Sequence, residues 1–151
     1  MEKIFETAIF ARKSLLRIMN ERSYENLVKI PEGFNNSIFW NIAHLLVSQQ
    51  LLCYKLSGND LVIDEDMIDK YGKGALATSE VAKEDIEYVK NNLLDTTIRL
   101  REDYAQGLFE HFQPYMTSTG IELLNIDDAL KFSGFHDGIH LGIVLSLMKI
   151  T

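Results

Sequence analysis

The sequence predicts an all-α protein, one domain over residues 1–151 folded as a four-helix bundle. Three observations carry that expectation. Four long segments repeat their apolar residues at the three- and four-residue spacing of a single helix face. The only two prolines, Pro31 and Pro114, fall between those segments, where a missing N–H does least harm. No segment alternates apolar and polar residues as a half-buried strand would. A chain of 151 residues, 46% of them hydrophobic, suits one core in one domain.

The first helix is expected from about Glu2 to Arg22, with Phe5, Ile9, Leu15, Leu16 and Met19 along its stripe. The second begins at Asn35 or Asn36, side chains suited to an N-cap, and runs to Leu56, with Gly58 placed to end it. Acids together with Gly72 and Gly74 make Asn59 to Ala77 a long connection, with one helical turn around Met67 to Tyr71. The third helix starts at Thr78 or Ser79 and continues to about Gln106, burying Ile86, Val89, Leu93, Leu100 and Tyr104. A polar, threonine-rich passage leads to the fourth, from Asn125 to the end. The long second connection leaves room for a crossover, and bundles of this kind build their sites between facing helices.

Charge and composition narrow the function. The net charge of -7 and the absence of any Lys/Arg run argue against a nucleic-acid partner. The opening "MEKIFETAIFARKSLLRIMN" mixes charges into its apolar residues, and no stretch approaches the roughly 18 apolar residues of a membrane span. A cytoplasmic protein without a membrane partner is expected. Cys53 is the only cysteine, which excludes an intrachain disulfide and a Cys-based zinc knuckle. It reads as buried filler.

Chemistry is concentrated in the histidines. In "FHDGIHLG", His136 and His140 stand four apart, so both rings project from one helix face. At about 100° per residue that face also carries Ala129, Phe132, Ile143 and Leu147, and so points inward. In "SIFWNIAHLLVSQQ", His44 shares an inward face with Trp40, Asn41 and Ser48. Three neutral imidazoles from two facing helices would hold a divalent cation with a coordination position left open, as catalytic zinc sites do. Trp40, Asn41, Ser48 and Ser133 are candidates to accept the second ring N–H or to line a pocket. Asp137 is read as a residue at that pocket's boundary. Pattern alone also admits three separate core histidines, each satisfied by a hydroxyl, an amide or a carbonyl. His111 falls at the end of the third helix and is expected to be exposed.

Two familiar motifs do not fit. A zincin needs Glu beside its histidine pair as general base, and the shorter Asp137 stands there instead. A di-iron bundle needs Glu three residues before each histidine, where Asn41 and Ser133 stand.

With His44 in "FWNIAHLL", the pair in "FHDGIHLG" and the "TSTGIE" approach to the last helix, the sequence resembles the DinB-like (DinB/YfiT) superfamily of metal-binding four-helix bundles. The resemblance implies an up-down-down-up bundle with a long crossover between helices two and three, and a triad of His44, His136 and His140 holding zinc, nickel or a similar ion. Members with known activity are similar to transferases or isomerases that use low-molecular-weight thiols, such as bacillithiol S-transferase and mycothiol-dependent maleylpyruvate isomerase. Asp137 departs from the family, where Glu is frequent. The resemblance therefore implies a thiol-dependent transferase acting on a small electrophile, with a thiol cosubstrate. Against it stands a non-enzymatic, dimeric metal- or ligand-binding protein, since family membership does not fix function.

Overall fold

The computed structural model describes residues 1–151 and is mostly helical, with one small two-stranded antiparallel sheet. In chain order the helices are α1 (Glu2–Glu21), α2 (Tyr24–Val28), α3 (Ile38–Gln49), α4 (Glu65–Tyr71), α5 (Lys83–Asn92), α6 (Asp95–Ala105) and α7 (Ile126–Leu147). Strands β1 (Tyr115–Met116) and β2 (Glu122–Leu123) precede α7. No helix is long and apolar enough to cross a membrane.

The interior is organised around α3. It is enclosed by neighbours, with every residue but Ser48 buried, and its apolar surface is interrupted by Asn41, His44 and Ser48, which share one face. Ser37 caps it by accepting the Trp40 N–H at 3.1 Å. Beyond Gln49 the chain continues as a π-turn (Gln50–Tyr54) and a 3₁₀ turn (Lys55–Ser57), and Gly58 stops it at φ 72°. That left-handed φ is one only glycine takes freely. α3 packs against α7, α5, α4 and α2, while α1 packs against α7 and α6. Ile38, Phe39, Ile42 and Leu46 meet Leu15 of α1, Val89 of α5 and Val144 of α7 in the larger core. Each such side chain gains about 1.5–3 kcal/mol on burial, which fixes the rotation of α3 and hence where its polar residues point. A second core, with Phe5, Tyr54, Leu100 and Leu130, lies beneath the hairpin, which adds Leu123.

The fourth expected helix agrees with α7: Asn125 caps it, accepting the Asp128 N–H at 3.0 Å, and Asp127 and Asp128 favour its positive end. α4 contains the turn expected at Met67 to Tyr71. Elsewhere the fold departs from expectation. The third expected helix is two helices, and the first of them begins at Lys83 rather than Thr78 or Ser79. Val81 is buried and its carbonyl accepts the Tyr24 hydroxyl at 2.7 Å, which holds this stretch out of the helix. The break at Leu93–Leu94 sits among side chains that compete for backbone groups. Asn92 donates to the Tyr88 carbonyl, Thr96 to that of Asn92, and Thr97 bonds Gln49 across the interface. α2 and the hairpin were not expected at all. The paired register is only Tyr115↔Leu123 and Met116↔Glu122, too short to show alternation. Its turn is closed by the Thr117 hydroxyl, which accepts the Ile121 N–H at 3.0 Å.

Candidate metal centre

α3 and α7 bring His44, His136 and His140 together: one ring nitrogen from each lies within 4.8 Å of the others. Hydrogen bonding sets two tautomers. His44 Nδ1 is 2.8 Å from the Tyr71 carbonyl oxygen, which can only accept, so Nδ1 carries the proton and Nε2 keeps its lone pair. Asn41 donates its amide to the Ser37 carbonyl at 2.7 Å, which turns Oδ1 toward His140 to accept the Nδ1 proton at 2.8 Å. His140 therefore also offers Nε2, which lies 3.1 Å from Nε2 of His136. Trp40 stacks on the His44 ring, with centroids 4.8 Å apart and planes 9° apart. Metal-ligating histidines are held in this way, by an acceptor on the far nitrogen and packing on the face.

The Tyr71 carbonyl is free to accept because it ends α4, where the last carbonyls have no helical partner. Gly72 makes the exit from that helix, and a Cβ there would lie 2.4 Å from the Ile68 carbonyl oxygen. Gly72→Ala should displace Tyr71, release the His44 ring and weaken zinc affinity about 10–100-fold, the range found when an outer partner is lost. Competition with a chromophoric chelator measures it; unchanged affinity would remove Tyr71 from the site.

Burial depresses all three imidazoles: His44 is lowered, His136 falls to about 4 and His140 to about 3. After burial, the neighbouring imidazoles and then Arg12 lower His136 and His140 further. The Tyr71 bond partly offsets burial at His44. A lowered pKa favours the neutral ring, so at neutral pH no proton has to leave before a cation binds. Exposed histidines with pKa near 6.5 would begin losing a cation to protons just below neutrality. Zinc affinity should instead fall less between pH 7.5 and 5.5 than three exposed histidines would require. A steep fall across that window, read by the same competition assay, would show rings titrating as if exposed.

The donor set suits a divalent cation. Bonds of about 2.0–2.1 Å to a tetrahedral ion place nitrogens about 3.3–3.4 Å apart, close to the 3.1 Å between His136 and His140. The His44 nitrogen lies within 4.8 Å of the other two, so it would have to move closer to complete such a set. The Ser48 hydroxyl, 3.2 Å from Nε2 of His44, would have to give up that lone pair to a cation.

A cavity of about 360 Å³ opens beside the triad, with His44, His136 and Ser48 on its wall and Phe132, Phe135 and Ile139 along α7. Ser133, expected beside the rings, is buried yet hydrogen-bonds none of them. Asp137 is a correction: it is neither a boundary nor a pocket residue. It is 2% exposed and its carboxylate takes both Nε (3.1 Å) and Nη2 (2.9 Å) of Arg12, itself wholly buried. Cys53 is also fully buried, and burial, reinforced by the charge of Asp137, pushes its thiol up to about 12. It cannot serve as a nucleophile. His111 is exposed and apart from the cluster.

Residues 8–144 match the sequence profile of the DinB superfamily. The chain belongs to the DinB superfamily. No curated relative matches the sequence. Within this DinB protein, reading the sequence missed the Tyr71 carbonyl, Gly72 and Arg12. Only Arg12 left a signal, as a charge set among the apolar residues of α1, three before Leu15.

Proposed function

We propose that this DinB-superfamily protein is a metal-dependent thiol S-transferase acting on small electrophiles, with His44, His136 and His140 as the ligands. One observation carries the reading: three imidazole nitrogens, two of them with fixed lone pairs, converge beside a cavity large enough for a small molecule. Zinc or nickel held there would keep its full charge among neutral ligands and lower the pKa of a thiol reaching the open position. The chain's own residues do the rest. Asn41 and the Tyr71 carbonyl orient the rings, while Phe132 and Phe135 exclude water from one side of the cavity. The thiol sulfur attacks the electrophilic carbon, a C–S bond forms as the leaving group departs, and the thiol proton passes to solvent. The fold we propose for this site is the up-down-down-up bundle, with α1, α3, the α5–α6 pair and α7 as its four staves and the crossover running through α4. The packing of α1 on α6 and α7, and of α3 on α5 and α7, supports it. A cytoplasmic setting, where such thiols are abundant, fits the proposal.

The test is a screen of several low-molecular-weight thiols against several electrophiles, using zinc- and nickel-loaded protein. Turnover should appear with at least one pair and be abolished in His140→Ala; identical behaviour of the two proteins overturns the proposal. A second reading rests on Phe135, Ile139 and Leu145, all exposed along α7. A second copy could cover them in a dimer that binds a metal or ligand without reacting, and tight binding without turnover would favour it.

A further inference from the structure

The cavity beside the triad has a charge character opposite to that of the chain. The protein carries 22 acidic residues against 15 Lys and Arg, yet no Asp or Glu lines this cavity, while Lys55 and Lys73 both do. The two lysines come from separate places. Lys55 begins the 3₁₀ turn that ends the α3 segment, and Lys73 follows Gly72 at the exit of α4. Neither has a carboxylate within 4.0 Å, whereas Lys70, on the other side of α4's last turn, is tied to Asp66 and Asp85. Thr117, Ser118 and Thr119 of the hairpin turn line the cavity as well, and the Ser118 hydroxyl has no partner within the protein. The rings of Phe132 and Phe135, with centroids 6.1 Å apart, line the same cavity.

Two lysines lining a largely apolar cavity, with no acid among its lining residues, give it a positive potential. An acidic protein whose surface repels anions thus offers one place that attracts them. We propose that the cavity selects a small organic anion: a carboxylate engaged by Lys55 and Lys73, an apolar body against Phe132 and Phe135, and the reacting group toward the histidines. At about 360 Å³ the space lies at the lower end of small-molecule pockets, which suits a metabolite rather than a peptide or a macromolecule. This deepens the transferase reading and rests on it in one respect, that the anion is a substrate and not merely a bound ligand.

The experiment is calorimetric titration with 3-phenylpropionate and 3-phenylpropanamide, two probes of one shape that differ in charge. Both are titrated into the zinc-loaded and the chelator-treated protein. The acid should bind about three- to tenfold more tightly than the amide, as expected for two partly exposed ion pairs. That gap should narrow as salt is raised. It should vanish in the double variant Lys55→Gln/Lys73→Gln and persist in Lys13→Gln/Lys149→Gln, which removes the same charge from elsewhere on the surface. Equal binding of the two probes, no binding of either, or a gap that survives loss of both cavity lysines overturns the proposal. The last result, if confined to zinc-loaded protein, would assign the preference to the cation. Neither probe has a thiol or a leaving group, so the two ideas fail separately. A charge preference without turnover in the thiol screen removes the transferase and leaves anion selection standing. Turnover without the preference does the reverse.

Discussion

Asp137→Asn is expected to lower the unfolding free energy by about 3–5 kcal/mol, the cost of leaving a buried charge without its partner. Arg12 has no exposed surface. Its Nε and Nη2 both donate to Asp137, Nη2 reaches the Leu45 carbonyl at 3.1 Å as well, and Nη1 has no partner. The guanidinium therefore has no route to water when the carboxylate is lost, and the asparagine amide replaces an acceptor with a donor aimed at a cation. The same pair ties α1 to α7 and, through Leu45, to α3, the two helices that hold the histidines. Urea unfolding measures the effect, as a lower midpoint at unchanged slope. A double variant, Arg12→Met/Asp137→Leu, should recover most of the loss, because an apolar pair of similar volume needs no desolvation. A shift below about 1 kcal/mol in Asp137→Asn would mean the pair is wet and the interior less closed than its geometry indicates.

That pair also shows where sequence reading stops. The inward face of α7 could be read from spacing, because Ala129, Phe132, Ile143 and Leu147 recur at helical intervals on the side that carries the histidine pair. The start of α7 at Asn125 and the stop at Gly58 could be read too, since both are local chemistry, whereas the cap expected from Asn35 or Asn36 is made by Ser37. Asp137 could not. Its position beside His136 says only that it leaves the histidine face by about 100°, and whether that direction holds water or Arg12 depends on a residue 125 positions away. The same limit explains the third expected helix. Its apolar spacing continues through Leu93, but one of the side chains at its break, Thr97, bonds the distant Gln49, and the bond that delays its start runs to Tyr24. The Tyr71 carbonyl, which sets the His44 tautomer, is a backbone atom and leaves no trace in residue type. The charge of the cavity was hidden for a different reason: Lys55 and Lys73 are ordinary surface lysines until the ends of two helical segments are brought together.

His140→Ala should weaken metal affinity by at least about 100-fold, or roughly 2.7 kcal/mol of binding free energy. Its Nδ1 is held by Asn41, and its Nε2 is the nitrogen that lies beside His136. Its loss leaves two donors on separate helices and no fixed pair. Metal content by mass spectrometry after dialysis reads the effect, and far-ultraviolet circular dichroism establishes that the variant remains helical. Asn41 then separates a ligand's role from its support. Asn41→Asp keeps the acceptor for Nδ1 and should retain the metal, whereas Asn41→Leu removes it and should cost about 10–100-fold, less than the ligand itself. Ser133→Ala, which touches no ring, should cost nothing. Retention that follows this order assigns the cation to the triad; retention indifferent to all four substitutions would return the three histidines to the role of core residues satisfied by Asn41, Tyr71 and each other.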